Sequence, residues 1–302
     1  MRASITGAIT ITLLVVACGR TRGEPPPPSP RPDAAPPYTG YPRVSAGVRL
    51  SCSVDADGQV LCWGRDAEKY SLGDTQHMLD IDVSGTEACG IRRDHTLLCW
   101  PGERGRWGTP LDWPSGTFLK VAVGFGAACG LRTDRTLACW GLADHGITDS
   151  PEGAFLDVDL GPIQACAIRV DRTLICWGWN ASGAADAPEG AFTSLSCGGG
   201  SCALSEAGIV HCWGGAGKSF IGRHARMVNV GDFGVCIIND EKEVECEGKH
   251  LAPPPALPRG PFEQIDLGDD HGCGVRTDGS IACWGLNDFG QTSYRESAPR
   301  QH

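Results

Sequence analysis

Apolar residues recur along this chain in short alternating runs punctuated by glycine, proline and aspartate. The stretches FLKVAVG (118–124), FLDVDLG (155–161), FTSLSCG (192–198) and FEQIDLG (262–268) alternate with a period of two, so that Val158 and Leu160, or Ile265 and Leu267, share one face. That is the pattern of a half-buried β-strand. Five or six residues further on, each unit carries a hairpin-like phrase such as CGVRTDGSIACWG (273–285), in which a turn separates two apolar arms. A third piece comes after Trp-Gly, as in LNDFGQTS, WNASGAAD and LADHGITD. The pattern predicts three strands per unit and a fourth in this last piece. Helical periodicity is nearly absent.

The cysteines supply the period. Fourteen of the 16 fall into pairs ten residues apart: Cys52/Cys62, Cys89/Cys99, Cys129/Cys139, Cys166/Cys176, Cys202/Cys212, Cys236/Cys246 and Cys273/Cys283. Cys18 and Cys197 are left over. First cysteines recur at intervals of 37, 40, 37, 36, 34 and 37 residues, and a fixed period of about 20 to 50 marks a repeat architecture. Units of three or four short strands have the content of propeller blades, and seven of them can close into a ring.

The first unit, CSVDADGQVLC, tests whether the paired cysteines can meet. Its centre is Asp57, so Ala56-Asp57-Gly58 forms a three-residue loop closed by Asp55 and Gln59, with Gly58 in the left-handed position. Cys52 then faces Cys62 at a non-hydrogen-bonded site, where Cα atoms lie about 4.5 Å apart, within disulfide reach. Glycine stands at the third loop position only as Gly58, Gly208 and Gly279; His95, Arg135, Arg172 and Lys242 occupy it elsewhere. A non-glycine residue there costs on the order of 1 kcal/mol, which a disulfide offsets. Zinc is the competing reading for so many cysteines. Its ligands cluster two to four residues apart, and the chain has no C-x-x-C. Neither a metal nor a cofactor is expected.

Composition agrees with an all-β chain full of tight turns, since 42 of 302 residues are glycine and 41% are hydrophobic. The net charge of -10 argues against nucleic acid as a partner, because that binding rests on Lys and Arg neutralising phosphates. At the N-terminus, Arg2 precedes an uncharged apolar run from Ile5 to Ala17, too short to span a membrane and of signal-peptide length. Val15-Val16-Ala17-Cys18 resembles a bacterial lipobox, so a lipid on Cys18 is expected. Removing residues 1–17 takes away one Arg and no acid, moving the net charge from -10 to -11. Residues 19–42, GRTRGEPPPPSPRPDAAPPYTGYP, read as a polyproline II spacer. The expected organisation is a signal peptide over 1–17, a lipidated cysteine and proline-rich linker over 18–42, a propeller over 43–293 and a disordered tail over 294–302. Export also favours disulfides, which persist outside the cytosol.

The seventh unit, IDLGDDHGCGVRTDGSIACWGLNDFGQTS, resembles the repeat of the regulator of chromosome condensation family. Gly268, His271, Asp278, Gly279, Trp284, Gly285, Asn287, Gly290 and Gln291 stand in the family's places. The resemblance extends over residues 43–293 and implies an all-β, seven-bladed β-propeller, here with an intrablade disulfide in each unit. The paired cysteines resemble those of exported bacterial members. Departures are local: only the seventh unit has the histidine, the sixth reads CEGK and the second CWPG. The family's namesake is a nucleotide-exchange factor for a small nuclear GTPase and binds chromatin, roles that an exported acidic lipoprotein does not suit. A secreted bacterial relative inhibits β-lactamases through a propeller face.

Candidate chemistry is sparse. Trp63, Trp100, Trp140, Trp177, Trp213 and Trp284 come directly after a cysteine in six units, and such regular placement reads as packing. His271 reads as a hydrogen-bond partner steadying a turn. Cys197 stands where other units have Val123, Leu160 or Leu267, as a buried strand residue would. No serine sits in a nucleophile elbow and Asp269-Asp270 is turn-like, so no enzyme is expected. The expectation is a monomeric, membrane-anchored lipoprotein of the cell envelope, facing the periplasm or the exterior, whose propeller binds a protein partner not named by the sequence. A structural envelope component and a carbohydrate-binding or hydrolytic propeller are the competing readings. Trp107, Trp113 and Trp179 fall outside the repeated packing position and are the candidate contacts. The segments RVSAG and GQTS at the two ends would let one blade be shared in closing the ring.

Overall fold

The alternating runs pair into seven antiparallel sheets. A computed structural model describes residues 43–70, 77–85, 87–100, 113–180, 182–249, 251 and 257–294, all within the second of two compact units, Tyr38–His302. Cys18, the linker and Trp107 lie outside the described residues. Each sheet has three strands in chain order, and the seven blades span Arg43–Gly64, Met78–Trp100, Phe118–Gly141, Phe155–Gly178, Phe192–Trp213, Met227–Gly248 and Phe262–Gly285. The first strand of every blade lines a common axial channel, bounded by residues such as Arg43, Asp80, Lys120, Asp157, Ser194, Met227 and Gln264.

The expected fourth strand does not form among the described residues. The glycine of Trp-Gly adopts positive φ (110° at Gly64, 105° at Gly141, 97° at Gly178, 98° at Gly285) and turns the chain out of the sheet. Beyond that glycine the chain becomes a strap packed on the neighbouring blade. Ile147 lies in the core with Phe155 and Val158, and Phe220 with Val228 and Ile237. Trp177 Nε1 donates to Ile147 O and Trp213 Nε1 to Ala184 O, both at 2.8 Å. The repeated tryptophans therefore join blades, as packing residues should. Seven apolar clusters, one at each junction of adjacent blades, make up the core. This is the nearest-neighbour logic of a repeat protein bent into a ring.

The paired cysteines stand directly opposite each other on the middle and outer strands of their blades, and each pair is disulfide-bonded. The bonds are Cys52–Cys62, Cys89–Cys99, Cys129–Cys139, Cys166–Cys176, Cys202–Cys212, Cys236–Cys246 and Cys273–Cys283, with Cα–Cα distances of 4.0–4.1 Å. That is closer than the roughly 4.5 Å expected of a non-hydrogen-bonded pair. The two halves of a pair differ in environment. The first cysteines are all buried on the middle strand, whereas on the outer strand Cys62 and Cys99 are buried and Cys139, Cys176, Cys212, Cys246 and Cys283 are half-buried. Gly58 N donates to Asp55 O and Asp55 N to Gln59 O, both at 3.0 Å, so the first loop closes as its sequence predicts. His95, Arg135, Arg172 and Lys242 do take positive φ, between 66° and 72°. Beside the first three, Asp94, Asp134 and Asp171 each accept from the backbone N–H and the hydroxyl of the threonine two residues on. Those clasps hold the three carboxyls below the usual carboxylate range. Cys197 is a buried free thiol on the inner strand Phe192–Cys197.

Among the described residues no blade is shared between the chain's ends. Blade 1 is complete in Arg43–Gly64, and Gly290–Ser293 forms a turn. Closure is made by a belt of side chains instead. The inner strands end in the pattern polar-apolar-glycine, and the polar residue accepts a hydrogen bond from the inner-strand N–H of the following blade. Ser45 Oγ accepts from Val83 N (3.0 Å), Asp82 Oδ2 from Val123 N (2.6 Å), Asp159 Oδ2 from Cys197 N (2.8 Å), Ser196 Oγ from Val230 N (3.0 Å) and Asn229 Oδ1 from Leu267 N (2.9 Å). Asp266 Oδ2 accepts from Ala46 N at 2.7 Å and ties the last blade to the first. At the same junction His271 Nε2 lies 2.8 Å from Ser51 Oγ, which donates to Gln291 O. His271 thus bridges two blades rather than steadying its own turn.

Blade 3 breaks the belt. Its equivalent residue is Ala122, fully buried and without an oxygen to offer Leu160 N. Ala122→Ser supplies the acceptor at nearly unchanged volume and is expected to raise stability by about 1 kcal/mol. Urea unfolding of the oxidised protein checks this, and an unchanged midpoint counts against the belt as a stabilising device.

Candidate functional site

One end of the channel is closed down by glycine. Gly47, Gly124, Gly161, Gly198, Gly231 and Gly268 end the inner strands, with Ser84 in the place of blade 2. A Cβ on Gly268 would lie 1.8 Å from Gly47 O, on Gly231 2.3 Å from Gly268 O, and on Gly198 or Gly161 2.5 Å from the next glycine oxygen. Only glycine lets the blades approach this closely, so a collar of backbone carbonyls surrounds the axis.

Among the described residues, loops from the blades surround this collar. The loop between inner and middle strands is tied to the residue after Trp-Gly, through Arg65 N to Arg49 O, Leu142 N to Gly126 O and Trp179 N to Ile163 O, each at 2.8 Å, and Leu286 N to Asp270 O at 2.9 Å. Among the described residues, six of the nine exposed large apolar side chains lie on these loops: Phe125, Ile163, Trp179, Phe233, Leu286 and Phe289. Phe233 is 55% exposed and Trp179 39%. Trp179 meets the His145 ring edge-on at 4.3 Å, and Phe289 lies under Arg49 and Arg65 at 4.6 and 5.1 Å.

The opposite end of the strands carries the clasped turns and is dominated by charge, as in the Arg172–Glu206 and Lys242–Glu263 pairs. Trp113, 38% exposed, belongs to that end: it precedes Ser115, whose carbonyl accepts from Arg132 at the foot of the middle strand. Trp113 and Trp179 therefore sit at opposite ends of the strands. The other collar-end aromatics, Phe125, Phe233 and Phe289, were not singled out by sequence. The signal was available in their shared register, one or two residues beyond the collar glycine for Phe125 and Phe233.

Inside the collar the channel is acidic. Burial raises Asp159 to about 7 and Asp266 to about 8, with Asp82 raised in the same way and adding its charge to both. Lys120 Nζ lies 2.7 Å from Asp157 Oδ1; burial works to lower its pKa, but Asp157 and Asp159 raise it. At the mouth, burial and the neighbouring Asp232 raise Asp269 to about 7. His271, lowered to about 4 by burial, is neutral, and Ser51 beside it is wholly buried with its proton directed at Gln291 O. This pair is a closure contact, not a nucleophile and base facing a ligand. Among the described residues no group of three or more His, Cys, Asp or Glu could hold a metal ion.

Comparison with known proteins places this geometry. Residues 262–291 match the family model described as Regulator of chromosome condensation (RCC1) repeat. A segment of 53 residues is 42% identical to the serine/threonine-protein kinase-like protein CCR4 of Arabidopsis thaliana, covering 17% of this chain and 6% of that protein. The entire ectodomain of the Physcomitrella patens receptor kinase CR4 superposes with a TM-score of 0.66 at 24% identity, over 82% of this chain and 73% of that one. The CRINKLY WD40 ectodomain of the Arabidopsis thaliana receptor kinase ACR4 gives 0.65 at 22% identity, over 80% and 93%. These likenesses are of fold. The seventh unit matches the RCC1 repeat, the six others share its cysteine pair, turn and strand order, and the fold is a seven-bladed β-propeller.

Proposed function

We propose that this protein is an exported lipoprotein, anchored through Cys18, whose propeller binds a protein partner with the collar end. The observation that carries the reading is the gathering of exposed Phe125, Ile163, Trp179, Phe233, Leu286 and Phe289 around one channel mouth. Scattered apolar residues need no explanation, but a rimmed set at one end marks an interaction site. Large aromatics there are the residues most apt to dominate an interface. Seven disulfides suit a compartment outside the reducing cytosol, and the two plant neighbours are receptor ectodomains.

The anchor and the face are tested separately. Cys18→Ser is expected to move the protein from the membrane fraction to the soluble fraction, and retention in the membrane sinks the anchoring. For the face, the mature chain is used as bait in detergent-solubilised envelope. Phe233→Ala and Trp179→Ala are each expected to weaken capture at least tenfold, equivalent to about 1.4 kcal/mol or more, while Trp113→Ala at the other end leaves it unchanged. The reverse order would transfer the site to the turn end.

A further inference from the structure

The mouth inside the apolar rim has a chemistry of its own. It opens into a cavity of about 80 Å³ whose walls include Asp82, Asp159, Asp232, Asp266 and Asp269. Among the described lining residues there is no Lys or Arg. Val48, Phe125 and Pro162 of blades 1, 3 and 4 form one side of this mouth, and Asp232 and Asp269 of blades 6 and 7 the other. Between rim and aspartates stand the collar carbonyls, packed too closely for any side chain at Gly161, Gly198, Gly231 or Gly268. From the protein itself, Lys120 approaches Asp159 from the far chamber while bonded to Asp157, and Arg49 approaches Asp269 from outside while stacked on Phe289.

Resting on the collar-end reading, we infer that the partner presents a basic residue, whose Lys or Arg side chain enters the collar while neighbouring apolar residues cover the rim. The match is one of charge and shape. A long basic side chain has an apolar stem and a cationic head, and the mouth offers an apolar side, then carbonyl oxygens, then aspartate carboxyls, whose ionised form a nearby cation favours. A cation taken out of water needs paired charge and hydrogen-bond acceptors to recover its hydration, and both lie within the cavity. An acidic side chain entering the same mouth would meet five aspartates. The inference also gives the belt aspartates a second use, since Ser45, Ser196 and Asn229 make the same inter-blade bond without charge.

Two blocked tripeptides, Ac-Phe-Arg-Phe-NH2 and Ac-Phe-Glu-Phe-NH2, serve as probes, followed through the amide resonances of the ¹⁵N-labelled propeller. The arginine peptide is expected to shift Gly47, Gly161, Gly198, Gly231 and Gly268 saturably, at least fivefold more tightly than the glutamate peptide, with affinity falling as salt is added. Asp159→Asn and Asp266→Asn, which keep an oxygen for the belt, are each expected to weaken the arginine peptide at least threefold; Asp232→Asn at the rim gives a variant outside the belt. If both peptides move the rim residues Phe125, Ile163 and Phe233 equally and leave the collar glycines still, the basic side chain is ruled out and the collar-end reading stands. If neither peptide moves a collar resonance at millimolar concentration, the inference fails, and the alanine variants against the captured partner still judge the face.

Discussion

Stability of the oxidised propeller is expected to increase as the pH is lowered from about 9 to about 6.5, the reverse of ordinary acid lability. Asp159 and Asp266 have folded pKa values of about 7 and 8, and Asp82 is raised with them, because burial and their mutual charge disfavour the carboxylates. In the unfolded chain an aspartate titrates near 4, at about 3.9. Between those limits the folded state holds protons that the unfolded state has released, so the stabilisation is complete below the unfolded value and is lost as pH rises through 7 to 8. The slope is on the order of 1 kcal/mol per pH unit for each group protonated only in the fold. Asp269 and Asp232 at the mouth act with the same sign. The groups facing the belt carboxyls are Lys120, Asp80, Asp157, Ser45 and Asn229, and Lys120 remains charged throughout the window.

Below about 6.5 a second group opposes the belt, since a normal histidine begins to charge there. His271 is lowered to about 4 by burial, so the unfolded chain takes up a proton that the fold refuses, and the gain continues with a shallower slope. Asn229 is the built-in control, because its Oδ1 makes the belt bond to Leu267 N without charge. Asp266→Asn should therefore flatten the profile and match or exceed the parent at alkaline pH. Asp266→Ala leaves Ala46 N and Asn229 Nδ2 without their acceptor and should lose about 1 to 3 kcal/mol. Urea unfolding across the pH range decides the matter. A flat parent profile, or an asparagine variant as weak as the alanine variant, would remove the belt aspartates as its cause.

Strands and turns were legible in the sequence because their determinants are local. Val158 and Leu160 fall on one buried face, the ten-residue spacing puts Cys52 opposite Cys62, and likewise Cys89 opposite Cys99 and Cys129 opposite Cys139. His95, Arg135, Arg172 and Lys242 take the left-handed position assigned to them. The fourth strand was misread because the segment after Trp-Gly is apolar at intervals but leads off from a glycine of positive φ; its apolar residues serve the neighbouring blade. Ring closure was not legible for a related reason. A polar residue in an alternating strand signals a solvated face, and Asp82, Asp159 and Asp266 look like that locally. Seven blades around one axis turn that face inward, where the carboxylates meet one another and the next blade's N–H groups. Likewise Trp107, Trp113 and Trp179 stood out as departures from the repeat, whereas Phe125 and Phe233 belong to ordinary collar loops and gain meaning only from being brought around one mouth.

Reduction of the seven disulfides is expected to abolish the cooperative fold. A cross-link closing so short a loop contributes about 2 kcal/mol in the chain-entropy model, and less where the hairpin is already local. Seven such contributions are comparable with the entire stability of a folded domain, about 5 to 15 kcal/mol. Blades of three strands have little to replace them, and four of the seven hairpins carry a non-glycine residue at positive φ. Cys52, Cys129, Cys166, Cys202, Cys236 and Cys273 are wholly buried, and only the outer-strand partners such as Cys139, Cys176 and Cys212 are half-buried. Reductant must therefore wait for blades to open, and loss of structure should be slow without denaturant and fast at low urea. A single blade isolates the turn's share. Replacing Cys236 and Cys246 together by Ala in blade 6 should lose about 2 kcal/mol, and adding Lys242→Gly should restore about 1 kcal/mol by relieving its positive φ of 66°. The corresponding pair in blade 7, Cys273 and Cys283, already has Gly279 at that position, so Gly279→Lys in the alanine background should deepen the loss instead. Circular dichroism melts of the oxidised, fully reduced and single-blade variants measure all of these. A reduced chain that melts within a few degrees of the oxidised one would show that the junction cores and the belt hold the ring without its cysteines.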